Sequence, residues 1–205
     1  MDYVIVTGAS RGVGAQIARR LMRKGTSLFC VARSVSQELI EASEELQVDL
    51  HWTQADLSET RGMAAFMQQI ADAVDEREAR LVALINNAAV LKPIGPVGSA
   101  AGAAEGGSVS ELEDHAAAIA GAVGVNLTAP MVLTHLFVAH FGGFRCDRVV
   151  INVSSGAGFR PMPGLSTYST TKAGLNMFTA AAAADDNSPR PVRFYALSPG
   201  TVDTD

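Results

Sequence analysis

Cysteine is scarce in this chain. Two residues among 205, Cys30 and Cys146, stand far apart and fit neither a metal-ligand spacing nor a disulfide framework. A reducing setting, the cytoplasm, is therefore expected. Histidine is equally sparse. His51, His115, His135 and His140 form no ligand pattern, so no metal site is expected. Positive charge is in the minority, with 16 Lys and Arg against 21 Asp and Glu and a net charge of −5. A nucleic-acid partner asks for the opposite balance. The chain opens on a strand pattern without a leader-like stretch, and no apolar run of spanning length is visible, so no membrane partner is expected. Nor is disorder indicated, since hydrophobic residues make up 48% and charged ones 18%. The length suits one domain over residues 1–205 with a core of its own.

Short apolar runs alternate with helical patterns. Residues 3–7 read as a buried parallel strand. The loop Gly8-Ala9-Ser10-Arg11-Gly12-Val13-Gly14 follows, and then a helix that Gly25 is expected to end. Glycines between a strand and a helix can cradle a pyrophosphate. Gly8 allows the turn, Gly12 the close approach, and Gly14 tight helix–strand packing. Helix N–H groups then face the phosphates. Gly8, Ser10, Arg11, Gly12, Val13 and Gly14 are accordingly candidate dinucleotide contacts. The second strand, residues 27–32, ends at Arg33. An acid there would hold the ribose hydroxyls of NAD, whereas a cation suits the 2′-phosphate of NADP. Arg33 with Arg11 thus favours NADP(H) over NAD(H). After a weaker strand at 48–53, Asp56 either accepts from the adenine amino group or serves as a turn residue. Leu57 is grouped with it at the cofactor, and a helix is expected over about residues 58–74.

The fourth strand, residues 81–85, delivers Asn86, Asn87 and Ala88 at its carboxyl end. Residues 97–108 are rich in Gly, Ala and Ser and read as a surface insertion. Ser110 and Glu113 offer a capping box for the next helix, which runs toward Asn126. Another helix covers about 129–141, with Asn126 and Pro130 where helix hydrogen bonding is interrupted. Strand 148–153 ends at Ser154 and Ser155, a helix spans 166–185, and strand 192–197 leads into Ser198-Pro199-Gly200-Thr201-Val202-Asp203-Thr204. The expected fold class is α/β: a doubly wound parallel sheet between helix layers, with nearly all motifs at strand carboxyl ends.

Tyr168 and Lys172 lie four apart, one turn of a helix, on one face. A phenol beside an ammonium can serve as a proton donor with its own pKa shifter, although the same pair also occurs on ordinary surface helices.

Taken together these residues resemble the short-chain dehydrogenase/reductase family. The match is Thr7-Gly8-x-x-x-Gly12-x-Gly14, Asn86-Asn87-Ala88, Asn126, Ser155, Tyr168-x-x-x-Lys172 and Pro199-Gly200. The resemblance implies an NAD(P)-dependent oxidoreductase acting on a small carbonyl or alcohol. Tyr168 would donate the proton, Ser155 would bond the carbonyl oxygen, Lys172 would lower the tyrosine pKa and hold the nicotinamide ribose, and Asn126 would anchor a water relay. Asn87, Ala88, Pro199, Gly200, Val202 and Thr204 would line the cofactor. A homodimer or homotetramer is implied through the helices near Ala129 and Gly164. Asn126-Leu127-Thr128-Ala129-Pro130, the stretch from Val153 to Gly158, and the stretch from Pro199 to Thr204 are similar to the sepiapterin and benzil reductase branch. That branch implies an NADPH-dependent reductase of vicinal diketones or related ketones. A ketoacyl-type reductase and a binding protein with weak catalysis are the alternatives. Two departures stand out. Ala89 replaces the glycine common after Asn-Asn-Ala, and the family's lid and last strand would follow Asp205, so an open sheet edge is expected.

Overall fold

The computed structural model describes residues 1–99, 108–185 and 188–200. A strand covered on both faces must be apolar at nearly every position. β1 (Asp2–Thr7) is buried throughout, and so is β2 (Thr26–Ala32). β3 (Asp49–Gln54) is half open, β4 (Leu81–Asn86) is closed, β5 (Asp147–Val153) is mostly closed, and β6 (Arg193–Leu197) is largely open. The six strands pair in parallel in the order β3-β2-β1-β4-β5-β6, which puts the two open strands at the edges.

Strand alternation divides the core between two helix layers. Tyr3, Ile5, Phe29 and Val31 face one side, packed with Phe66 and Met67 and with Leu133, Phe137 and Phe141. Val4, Val6, Leu28 and Cys30 face the other, packed with Ala18, Leu39 and Ala42. The helices that supply these residues are α1 (Gly12–Leu21), α2 (Gln37–Leu46), α3 (Met63–Asp72) and α5 (Ala129–Phe141); α4 (Val109–Val123) and α6 (Ser166–Asp185) complete the set among the described residues. A buried polar chain runs along one face of the sheet, beneath the helices that carry Thr134 and Thr179. Asn86 Nδ2 donates to Thr134 Oγ1 at 3.3 Å and to Asn152 Oδ1 at 2.8 Å, and Asn152 Nδ2 donates to Thr179 Oγ1 at 2.8 Å.

The structure corrects several expectations. Helix α2 was not foreseen, because its sequence buries only Leu39, Ala42 and Ser43 and its other residues are polar. Helix α1 ends at Leu21 with an extended Met22, so Gly25 (φ 86°) shapes the turn into β2 and not the helix end. Helix α3 begins at Met63 behind a left-handed Gly62 (φ 91°), later than expected, because Asp56 winds residues 56–58 into a side-chain turn. The cap of α4 is Ser108 with Glu111, two residues ahead of Ser110 and Glu113. Both pairs fit the same Ser-x-x-Glu pattern, and the earlier one wins. The reading of 97–108 as an insertion falls, at 100–107, outside the described residues. Finally, an apolar helix of spanning length does exist. Val109–Phe141 is continuous over 33 residues, with a mean hydropathy of 1.7 in its most apolar window. Its α5 half is a core helix, since Leu133, Phe137 and Phe141 are fully enclosed by the sheet and α3.

Candidate active site

Strand order reverses between β1 and β4, and the chain leaves them in opposite directions. A crevice opens there at the carboxyl ends. Backbone contacts bind its floor together. Thr7 Oγ1 accepts from the amides of Asn87 (3.0 Å) and Ala88 (3.1 Å), while Asn87 Nδ2 donates to Thr7 O (3.0 Å) and Gly8 O (3.3 Å). A Cβ on Gly8 (φ 68°) would lie 2.8 Å from Ala88 Cα, and one on Gly14 only 2.1 Å from Gly8 O. Both positions therefore require glycine. Helix α1 starts behind this turn with no side-chain cap and no acid in its first turn. Its first amides and its positive dipole end remain for an anionic ligand.

The resulting cleft holds about 620 Å³. At one end it is lined by Gly8, Ser10, Arg11, Gly12, Val13 and Gly14, with Arg33, Asp56 and Leu57. Gln54 Nε2 fixes the Arg33 carbonyl at 2.8 Å. The Asp56 carboxylate accepts from the Ser58 amide and hydroxyl, both at 2.9 Å, and the amide bond is the main cause of its lowered pKa. Asp56 is thus a turn residue that also faces the cleft. The middle is lined by Asn87 and Ala88, and the far end by Ser155, Tyr168, Lys172, Pro199 and Gly200. Val202 and Thr204 lie outside the described residues.

Tyr168 and Lys172 share a face of α6 as their spacing predicts. Lys172 Nζ sits 5.7 Å from the Tyr168 ring centroid and donates to Val153 O at 2.7 Å. Its side chain is 2% exposed, and burial pushes its pKa down to about 8. Ser155, two residues past β5, is extended and caps a single 3-10 turn, Gly156–Gly158, where its Oγ accepts from the Ala157 amide at 3.2 Å. A phenol, a hydroxyl and a tunable ammonium thus meet at one end of a cleft whose other end is cationic. The residues present fit a dinucleotide, whose phosphates suit the uncapped start of α1.

Asn126 is the one described candidate that does not line the cleft. Between α4 and α5 the helix widens into a π turn, Gly124–Thr128, that turns Asn126 inward to full burial. Its Oδ1 accepts from Val90 N (2.8 Å), and its Nδ2 donates to Val90 O (2.8 Å) and Thr171 Oγ1 (3.3 Å). Thr171 Oγ1 in turn donates to the carbonyl of Tyr168 at 2.8 Å. Asn126 therefore ties the segment after β4 to the tyrosine helix, and Val125 takes the place on the cleft wall. Sequence reasoning missed Ser34, Val90, Leu91 and Ser154, which also line the cleft. Each adjoins a motif at a strand end, and following the chain past those motifs would have found them.

The family profile described as short chain dehydrogenase matches residues 2–205. The chain belongs to the short-chain dehydrogenase family. It is an NAD(P)-dependent oxidoreductase by that membership. It is 35% identical over 205 residues to a benzil reductase ((S)-benzoin forming) of Bacillus cereus, covering 100% of this chain and 77% of that one. A sepiapterin reductase of Xenopus laevis is 30% identical, over 98% of this chain and 73% of its own. Among solved structures, a short-chain dehydrogenase/reductase from Burkholderia vietnamiensis superposes with a TM-score of 0.79 at 34% identity, over 98% of this chain and 84% of that one. A metagenomic short-chain oxidoreductase in complex with NADP gives 0.76 at 29%, over 98% and 82%. The sequence's family and branch resemblance agrees with these relatives, and the sheet and helix layers of this short-chain dehydrogenase agree with the neighbouring folds.

Proposed function

We propose that this short-chain dehydrogenase is an NADPH-dependent ketone reductase acting on vicinal diketones or a sepiapterin-like side-chain ketone. The observation that carries the reading is the gathering of Tyr168, Ser155 and Lys172 at one end of a cleft whose other end bears Arg11 and Arg33. Bound there, the reduced nicotinamide supplies the hydride. The chain's own residues do the rest. Ser155 donates a hydrogen bond to the substrate oxygen and orients it. Tyr168 gives that oxygen its proton as the carbonyl carbon becomes an alcohol carbon. Lys172 keeps a positive charge beside the phenol and favours loss of that proton. Asn126, through Thr171, fixes the helix that carries Tyr168. Apolar Leu91 lines the cleft and is 45% exposed, which suits a ketone with apolar substituents.

Arg11 and Arg33 support NADPH over NADH, since two cations at the ribose end match a 2′-phosphate and no free carboxylate stands at the end of β2. The acid that lines this end among the described residues, Asp56, is engaged by Ser58. We further propose a soluble cytoplasmic homodimer, single-domain in each copy. It would pair through the outer faces of α5 and α6, where Val138 and Met177 are exposed while Leu133 and Leu175 pack inward.

The test is oxidation of NADPH by the chain with a vicinal diketone, beside Tyr168→Phe and with NADH as a control. Turnover that prefers NADPH and drops at least ~100-fold in Tyr168→Phe is expected. Tight NADPH binding without turnover would favour a binding protein, and turnover indifferent to Tyr168→Phe would overturn the mechanism.

A further inference from the structure

We propose that Asn176 is a positioning residue that sets the Ser155 hydroxyl against the Tyr168 end of the cleft. This rests on the reductase reading above. Tyr168, Lys172 and Asn176 follow one another at four-residue steps on α6, so they share a face. Lys172 and Tyr168 reach the cleft. Asn176 does not, and it touches the chain on either side of Ser155 instead. Ser154 Oγ donates to Asn176 Oδ1 at 2.5 Å, and Asn176 Nδ2 donates to Gly158 O at 3.4 Å. The two bonds bracket Ser155. Packing supports the same placement. A Cβ on Gly158 would lie 2.7 Å from Asn176 Nδ2 and 2.9 Å from the Lys172 carbonyl carbon, so the 3-10 turn rests directly on α6.

The segment 153–158 is therefore held to the tyrosine helix at three points: Val153 by Lys172, and Ser154 and Gly158 by Asn176. Ser155 lies between them. Its own Oγ contact, from the Ala157 amide, is internal to the turn and moves with it. Where the hydroxyl sits relative to Tyr168 depends on how the turn is fastened to α6. A primary amide suits that task because it accepts on one atom and donates on the other. An aspartate keeps only the acceptor and adds a charge beside Lys172. A leucine of similar volume keeps neither and leaves the buried Ser154 hydroxyl unpaired. A displacement of about 1 Å at a reacting group lowers rates by about 100-fold.

The experiment compares the wild-type chain, Asn176→Leu, Ser155→Ala and the double variant. It measures kcat and KM for a vicinal diketone with NADPH, NADPH affinity by fluorescence, and hydrogen exchange at the Ala157 and Gly158 amides. Asn176→Leu is expected to lower kcat by about 10- to 100-fold. NADPH affinity should hold within about twofold, and exchange at both amides should speed up. In the Ser155→Ala background the same change should cost no further kcat, because the hydroxyl it positions is gone. Equal losses in both backgrounds, with exchange unchanged, would overturn the proposal and leave Asn176 an ordinary packing residue. Should Asn176→Leu fail to fold, Ser154→Ala breaks the same bond from the other side and carries the same expectations. Should the wild-type chain reduce no ketone, the reductase reading falls. The exchange rates then decide alone whether Asn176 fixes the turn.

Discussion

Lys172 keeps its charge in a place that disfavours charge. Below pH about 8 the folded and unfolded chains both carry its proton, and the cost of burying the ammonium is fully present. Between about 8 and its ordinary 10.5 the unfolded chain binds a proton that the folded one does not, so this group makes stability rise with pH through that window. The shift corresponds to about 3 kcal/mol, part of it offset by the bond to Val153 O. Lys172→Met should therefore lose reductase activity yet melt higher than the wild type near pH 7. The gap should shrink toward pH 10 in thermal scans over a pH series. A gap that ignores pH would mean the folded lysine keeps its proton across the range. Residues of this kind were legible in the sequence because their spacing alone brings them together. Asn126 and Asn176 were harder. One was named without its bonding partners, the other was not named at all, and in both the role depends on partners from distant parts of the chain.

Among the elements, the turn from β1 into α1 is the least tolerant. Gly14→Ala would put a methyl group 2.1 Å from Gly8 O and 2.5 Å from Asn87 Nδ2, both held by the seam between β1 and β4. Backbone must move, at about 1–3 kcal/mol for such overpacking. The variant should show a lower Tm and at least ~10-fold weaker NADPH binding by fluorescence titration. Gly25→Ala is the contrasting case. Nothing lies within 4 Å of a Cβ there, so only its φ of 86° resists and NADPH affinity should not change. The central strands could be read directly because burial on both faces leaves an unbroken apolar run. Helix α2 could not, since three small or medium buried residues make a faint stripe. The register of the α4 cap was undecidable from two overlapping Ser-x-x-Glu patterns. The π turn at Asn126 was read only as an interruption, because a single extra residue in a turn has no distinctive composition.

At the scale of the molecule, the chain Thr134–Asn86–Asn152–Thr179 ties α5 and α6 to the two strands beneath them, β4 and β5. Asn152→Ala should leave Asn86 Nδ2 and Thr179 Oγ1 each short of a partner and lower stability by about 1–3 kcal/mol in urea unfolding. A loss confined to activity would argue that the chain carries no structural load. Association is tested separately: Met177→Glu, which introduces charge on a residue 70% exposed, should shift a dimer toward monomer in sedimentation without lowering Tm. The topology and most strand-end motifs were readable, because alternation of strands and helices restricts the possible windings to few. Which outer faces stay open was not, since an apolar helix face looks alike whether sheet or partner covers it.

The start of α4 has a consequence for how such a protein can change. Ser108 and Glu111 exchange reciprocal bonds with each other's backbone amides, so the helix leading to Asn126 begins from an anchor of its own. Chain added or removed ahead of Ser108 meets that anchor first. Asn126 and the turn around it take their frame from that anchor on one side and from α5 on the other. Ser108 marks the boundary. A reporter peptide spliced in just before it would be expected to leave the reaction intact.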